Sequence, residues 1–217
     1  MPTRIFSGAI RAGSLPVTLL TLLAGCSNAN DPYAKLPDPP LVQGQLRTVT
    51  VVSDDAQLAG RIQQEGYALR PFPPNYPEAD KVLGVLWDVP ESVAKGATIY
   101  GAPAPAPEPD LRLLVEPLPP AVPPADAGVE RSFFRHVLGV DVPQWPAKVP
   151  RAANVRVQAW TYQVPSILEA RKKLRANAIP VVTEPVGITT PYMGDQKSMS
   201  LRAPGGTIVE LIEAAAQ

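Results

Sequence analysis

Few side chains of this 217-residue sequence could carry chemistry, and Glu210 is the most suggestive of them. It lies in the phrase RAPGGTIVEL, residues 202–211, where two glycines open a strand-like apolar run and so form no helix-borne phosphate cradle. The chain has one histidine, His136, and one cysteine, Cys26. His136 lies in the helical phrase FFRHVLGV, where no Ser-His-Asp arrangement can be assembled around it, and we interpret it as a packing or surface residue of a helix.

The first 26 residues have the features of an export signal. Arg4 and Arg11 precede an uncharged apolar run, residues 15–24, that is too short to cross a bilayer. The run ends LLAGC, and residues 23–26 resemble the lipobox of bacterial lipoproteins. That resemblance implies cleavage before Cys26, acylation at Cys26, and a lipid-anchored location in the cell envelope, either periplasm-facing or at the outer membrane.

The charge balance favours attachment through acyl chains rather than through electrostatics. Removing a signal peptide of residues 1–25 removes two arginines and leaves 18 basic and 20 acidic side chains, a net charge of −2. This charge gives no attraction to nucleic acid or to anionic lipid. Residues 26–45 are polar and proline-bearing, which predicts a flexible tether, and residues 46–217 are then the folded domain.

Two segments of that domain, 46–69 and 155–182, share one pattern. Each begins with a Val- and Thr-containing run typical of a strand and continues into a helical pattern with apolar residues one turn apart. Shifting the second segment by 112 residues places Val164 on Val52 without a gap. We interpret this match as an internal duplication.

The segments after each repeat complete a strand-helix-strand-strand-strand module. After the second helix, three strand-like runs are separated by turn residues; they span 179–188, 196–204 and 206–214. In the first copy we predict strands at about 82–87 and 111–116, a short helix within 90–100, and a connecting helix in 127–142. The predicted class is α+β, with modules at about 46–120 and 150–215.

Paired β-α-β-β-β modules, the phrase EARKKLRANAIPVV and the closing phrase LRAPGGTIVELIE resemble the vicinal oxygen chelate superfamily of glyoxalase I, bleomycin-resistance proteins and extradiol dioxygenases. The resemblance implies one curled mixed sheet with helices on its outer face and a ligand in its concave face. Strand alternation then turns Val209 and Leu211 toward the helices and Glu210 into the cup. The same alternation places four further side chains in the cup: Val157, Ala159, Thr161 and Gln163. A one-residue slip would present Gln158 instead.

Metal-using members of that superfamily take His, Glu or Gln ligands from two strands of each module, which implies a ligand position at Glu210. The other matching positions hold Ala159 and Arg47, and neither suits a cation. We therefore predict no metal or other cofactor, and a Glu210–Arg47 pair on the pocket floor. Two alternatives stay open: a weak divalent-metal site using Glu210 and Glu116, and a sheet carboxylate without a role.

Three functions are compatible with these patterns. The first is a metal-free envelope lipoprotein that binds a small molecule or a protein partner. The second is a metal-dependent lyase or dioxygenase of the same superfamily. The third is a structural subunit of an envelope complex, in which the proline-rich segments 103–124 and 143–150 make contacts.

Overall fold

The computed structural model describes residues 31–37, 40–70, 77–103, 108–116, 126–190 and 194–214, and these residues form an α+β structure. Its strands are β1 (Gln45–Ser53), β2 (Ala68–Arg70), β3 (Thr98–Gly101), β4 (Asp110–Val115), β5 (Val155–Gln163), β6 (Thr183–Thr190), β7 (Gly194–Arg202) and β8 (Ile208–Ala214). Its helices are α1 (Leu58–Gln64), α2 (Pro77–Trp87), α3 (Glu91–Lys95), α4 (Ala127–Phe133), a π-helical turn (Phe134–Leu138) and α5 (Ile167–Ala176). In these ranges no helix is both long and apolar enough to cross a membrane. Cys26 and the predicted signal peptide lie outside the described residues, and acylation stays a prediction.

The strands form one mixed, curled sheet in the order β2-β3-β4-β1-β5-β8-β7-β6. The order 2-3-4-1 in the first half is mirrored by 6-7-8-5 in the second, and the halves meet where β1 pairs antiparallel with β5. In each half the first strand pairs parallel with the fourth, β1 with β4 and β5 with β8. Parallel neighbours need a crossover connection, which includes α1 in one half and α5 in the other. The predicted pair of β-α-β-β-β modules is confirmed.

The outer face of the sheet packs against α1, α4, the π-helical turn and α5. Apolar side chains on one stripe of each helix meet every second residue of the strands, and both sets are buried. The helices contribute Leu58, Ile62, Phe133, Phe134, Val137, Leu138, Ile167, Ala170 and Leu174, and the central strands contribute Val49, Val51, Leu111, Leu113, Trp160, Tyr162, Met199, Leu201, Val209 and Leu211. The predicted outward orientation of Val209 and Leu211 is therefore confirmed.

The first module contains a helix where the sequence predicted a strand. Residues 82–87 belong to α2, because their apolar side chains recur at helical spacing and pack on the sheet face opposite the outer helices. We call this second face the inner face. The predicted short helix within 90–100 is α3, and the predicted strand at 111–116 is β4.

The gap-free match between the two repeats is wrong by one residue along the strands. Val52 lies on the inner face with α2 residues, whereas Val164 lies in the outer-face core. A match of Val49 to Trp160 instead joins two outer-face residues that are also direct partners across the β1–β5 pairing. A one-residue error exchanges the two faces of a strand. The two segments therefore look alike in composition, although the residues matched in this way point to opposite faces of the sheet.

Residues 31–37 and 40–44, here called the N-terminal strap, contact the domain although the sequence indicates only a tether. The backbone N–H groups of Leu41, Val42 and Gly44 donate to the carbonyls of His136, Val137 and Leu138, at 3.1, 2.8 and 3.3 Å respectively. Leu41 and Val42 are also buried in the outer-face core. Gly139 ends the π-helical turn with φ 71°, and a Cβ there would lie 2.8 Å from Pro40 Cγ. Glycine is therefore required both by the backbone and by the close approach of the strap.

Truncation of Leu174 tests the outer-face core. Leu174→Ala should lower the free energy of unfolding by about 2–5 kcal/mol in urea denaturation, because it leaves a cavity under a fully buried side chain. Leu168→Ala is the matched control on the same helix, since that side chain is 57% exposed. The control should change stability by no more than about 0.5 kcal/mol. Equal effects of the two substitutions would contradict the assigned helix face.

Candidate functional site

Glu210 is fully buried on the inner face, and its carboxylate accepts hydrogen bonds from four side chains. Trp87 Nε1, Arg112 Nη1 and Thr161 Oγ1 donate to Oε2 at 3.2, 3.2 and 2.7 Å. Ser198 Oγ donates to Oε1 at 3.1 Å, and the Leu211 carbonyl oxygen lies 3.2 Å from the same hydroxyl. A buried carboxylate is tolerated only when its lone pairs are satisfied in this way.

Arg112 provides the positive charge that balances Glu210. Its side chain is 3% exposed, and its Nη1 also donates to Thr50 Oγ1 at 3.0 Å. The guanidinium carbon lies 3.9 Å from the centroid of the Trp87 ring, within the range of a cation–π interaction. Trp87 therefore contacts both charges, through its N–H on the acid and its ring face on the base.

The two charges occupy corresponding positions in the two modules. Thr50 of β1 is the parallel-register partner of Arg112 in β4, and Thr161 of β5 is the parallel-register partner of Glu210 in β8. Each module thus places a threonine on its first strand and a charge of one sign on its fourth. The ion pair at 3.2 Å connects the modules across the central strands.

Helices α2 and α3 cover the inner face around this ion pair. Their buried side chains form a second, smaller core with residues of the sheet, made of Val52, Leu83, Leu86, Trp87, Ala94, Ala97, Leu114 and Ile188. Gln158 adds a polar link, because its Nε2 donates to the Trp87 carbonyl at 2.8 Å. The concave face expected to hold a ligand is here filled by the protein's own helices.

Among the predicted pocket residues, the structure brings Thr161 and Glu210 together and leaves Arg47 apart. Arg47 is exposed, and its Nε donates to Gln163 Oε1 at 2.7 Å. The predicted Glu210–Arg47 pair is wrong, since Arg112 takes that place. Ala159 is fully buried opposite Thr50.

A β-bulge explains why one predicted pocket residue lies on the other face. The β1–β5 register shifts between Thr50 and Val51, so that Thr50 faces Ala159 and Val51 faces Val157. An extra residue in one strand reverses the orientation of the side chains beyond it. Val157 consequently packs against the outer-face core, and Gln158 reaches α2 on the inner face.

Glu116, the other candidate metal ligand, and His136, the one histidine of the sequence, both lie away from Glu210. His136 belongs to the π-helical turn on the outer face, where its carbonyl accepts the Leu41 N–H. Glu116 follows the end of β4, and four residues of extended chain, about 13 Å, separate it from Arg112. Neither can join Glu210 around one ion.

The donors around Glu210 do not fit a divalent cation. A metal site needs several convergent anionic or neutral lone-pair donors, whereas the Glu210 Oε2 atom already faces a guanidinium, an indole N–H and a hydroxyl. The fixed positive charge of Arg112 at 3.2 Å would repel a second cation. Among the described residues, no group of three or more His, Cys, Asp or Glu side chains could hold a metal.

Titratable groups with shifted pKa values have local structural causes. Burial raises the pKa of Tyr162 and, together with its hydrogen bond to Glu108, that of Tyr67. On the surface, a hydrogen bond from Arg171 lowers the pKa of Glu184. The two tyrosines belong to the outer-face core and Glu184 to an exposed ion pair, so these shifts indicate no reacting centre.

Arg112 and Trp87 were not among the site residues predicted from the sequence. Arg112 interrupts the apolar run DLRLLV, and the alternation that turned Glu210 inward would also have turned this arginine inward. Trp87 gave no such signal, because its segment was interpreted as a strand. The strand alternation could therefore have predicted the ion pair, but it could not have predicted the helix that covers it.

A groove of about 470 Å³ lies on the solvent side of α2, next to the start of β6. Exposed apolar side chains in it are Val85 and Val182, at 56% and 37% exposure. Lys81, Asp88 and Glu91 add charges of both signs. The groove is therefore formed in part by α2, one of the two helices that cover the inner face.

No family model matches the chain, and no curated protein matches it. Several solved structures do resemble this chain in fold. Methylmalonyl-CoA epimerase from Mycobacterium tuberculosis has 15% identity, with 84% of this chain and 95% of that chain covered and a TM-score of 0.44. The Mn(II)-bound glyoxalase from Novosphingobium aromaticivorans has 13% identity, covering 81% of this chain and 40% of that chain, with a TM-score of 0.41.

A glyoxalase/bleomycin resistance protein/dioxygenase superfamily member from Vibrio splendidus 12B01 has 10% identity, 78% and 99% coverage, and a TM-score of 0.39. These likenesses are too distant to carry an argument about activity. The module arrangement rests on the strand order of this chain itself.

Removing one charge of the buried pair should cost far more than removing a surface charge. Glu210→Gln leaves Arg112 buried without a counter-ion and should lower the free energy of unfolding by about 3–5 kcal/mol. Glu169→Gln on the exposed face of α5 is the control, with an expected change below about 1 kcal/mol. Urea denaturation measures both.

The double variant Glu210→Leu/Arg112→Met separates the ion pair from its packing. It should recover most of the stability lost in Glu210→Gln, since a buried pair replaced by apolar side chains leaves no uncompensated charge. A Glu210→Gln protein as stable as Glu169→Gln would show that the pair is not buried as described.

Proposed function

We propose that this chain is a lipid-anchored envelope protein whose glyoxalase-like domain is metal-free and binds a protein partner. The observation that carries the proposal is the state of Glu210. At 0% exposure it is held by four donors beneath α2, so no substrate can approach it without removal of that helix. An inner face that is closed around Glu210 in this way fits a binding module better than an enzyme.

The same interactions oppose the alternative of a metal-dependent lyase or dioxygenase. That chemistry needs an ion with coordination positions open to substrate or water. Here four inward-facing polar side chains of the central strands, Thr50, Arg112, Thr161 and Glu210, are joined to one another by hydrogen bonds and an ion pair. This arrangement favours an ion pair that stabilises the fold over a metal-dependent reaction centre.

Partner binding is favoured at the groove on α2. Val85 and Val182 are exposed there beside charged residues, a mixture typical of an interface with an apolar centre and a polar rim. Because α2 is fixed to the ion pair through Trp87, the groove has a rigid base. A preformed surface loses little conformational entropy when a partner binds.

Metal content distinguishes the binding module from the enzyme. Full-length protein purified without chelator should contain far less than one equivalent of iron, zinc, nickel or manganese by elemental analysis. Adding each of these ions in turn should leave its thermal unfolding midpoint unchanged, because a ligand that binds the native state raises that midpoint. Stoichiometric metal, or a saturable rise with one ion, would overturn the proposal.

Acylation and partner binding have their own tests. The mass of the N-terminal peptide should show acylated Cys26, and Cys26→Ser should release the protein from membranes.

A stoichiometric partner co-purified from membranes should be lost with Val85→Asp/Val182→Asp and kept with Leu168→Asp, which changes an exposed leucine on the outer-face helix α5. Equal retention by both variants would place the partner elsewhere.

A further inference from the structure

The strap fixes the chain to the domain from Asp31 onward. Asp31 is 8% exposed, and its Oδ1 accepts the N–H groups of Tyr33 and Ala34 at 2.9 and 3.3 Å. The Tyr33 ring meets Phe133 of α4 edge-on, with centroids 5.2 Å apart. Burial raises the pKa of Tyr33, which agrees with a ring seated against the domain.

Only five residue steps separate the docked strap from the predicted anchor at Cys26. From Cys26 to Asp31 there are five Cα–Cα steps, which span at most about 18 Å when fully extended. A tether free as far as Gln45 would reach about 65 Å. A domain of this length has a diameter of about 40 Å, more than twice the shorter reach. Because this connection is shorter than the diameter of the domain, only some sides of the domain can face the membrane.

The side that carries Asp31 is built as one unit. Glu130 of α4 accepts the Gly205 N–H at 2.6 Å and thereby fixes the β7–β8 turn beside the strap. Burial raises the pKa of Glu130, although this hydrogen bond opposes the shift. Ala34 and Lys35 are exposed at the surface of the strap. The isolated charges on this side of the domain give no electrostatic attraction to the membrane. The length of the connection alone would therefore set the distance between the domain and the membrane.

We propose that the strap orients the domain on the bilayer, with Asp31 within about 18 Å of the lipid headgroups and the side formed by Asp31, Tyr33 and α4 facing them. This inference rests on the proposed acylation of Cys26. The inner-face helices α2 and α3 lie across the sheet from α4, so the groove on α2 is turned away from the lipid, where a partner can reach it.

The test compares two matched lysine positions. Lys35 lies on the strap and Lys95 ends α3 on the inner face, and both are exposed. In acylated protein the only native thiol is modified, so a fluorophore can be placed on Lys35→Cys or on Lys95→Cys alone. Each protein is reconstituted in phosphatidylcholine vesicles that contain a headgroup-spin-labelled lipid, and fluorescence quenching is measured.

Quenching should be several-fold stronger at position 35 than at position 95. Inserting twenty Gly and Ser residues after Ser27, which leaves the strap itself unchanged, should reduce quenching at position 35 to the level of position 95. Equal quenching at the two positions of the native-length protein would overturn the orientation, and so would an insertion without effect. Failure of acylation is recognised separately, by the N-terminal peptide mass and by absence of the protein from floated vesicles.

Discussion

The buried ion pair between Glu210 and Arg112 is the constraint on which the inner face depends. At 3.2 Å the attraction is about 5 kcal/mol for an effective dielectric constant near 20, yet removing both charges from water opposes it. The surrounding donors make the burial tolerable, and Trp87 of α2 contacts both charges. Electrostatics thus position the helix that closes the cup, and closure of the cup makes the charges inaccessible.

Much of the fold could be predicted because its signals are local. The helix α5 shows this, since the apolar residues that recur one turn apart in the sequence form its buried stripe, and Ser166 caps its first turn. The strand alternation also oriented Glu210 correctly. What failed depended on distant contacts: α2 is helical because it covers the inner face, and the composition of residues 82–87 alone favours a strand almost equally.

The candidate site was only half predictable for a related reason. Alternation along β8 identifies the inward acid, but its partner is 98 positions earlier in the chain, and the β1–β5 bulge changes which side chains turn inward. A bulge has no reliable sequence signature, so Val157 and Gln158 exchanged faces. The docked strap was also hidden, because its polar and proline-bearing composition is that of a linker, and its burial comes from only a few residues such as Leu41 and Val42.

The mirrored placement of opposite charges makes the two halves of the domain dependent on each other. Two copies of the second half would bring two acids together, and two copies of the first would bring two guanidiniums together. A symmetric homodimer of either half would therefore bury like charges. The two halves are complementary, and each supplies the counter-ion of the other.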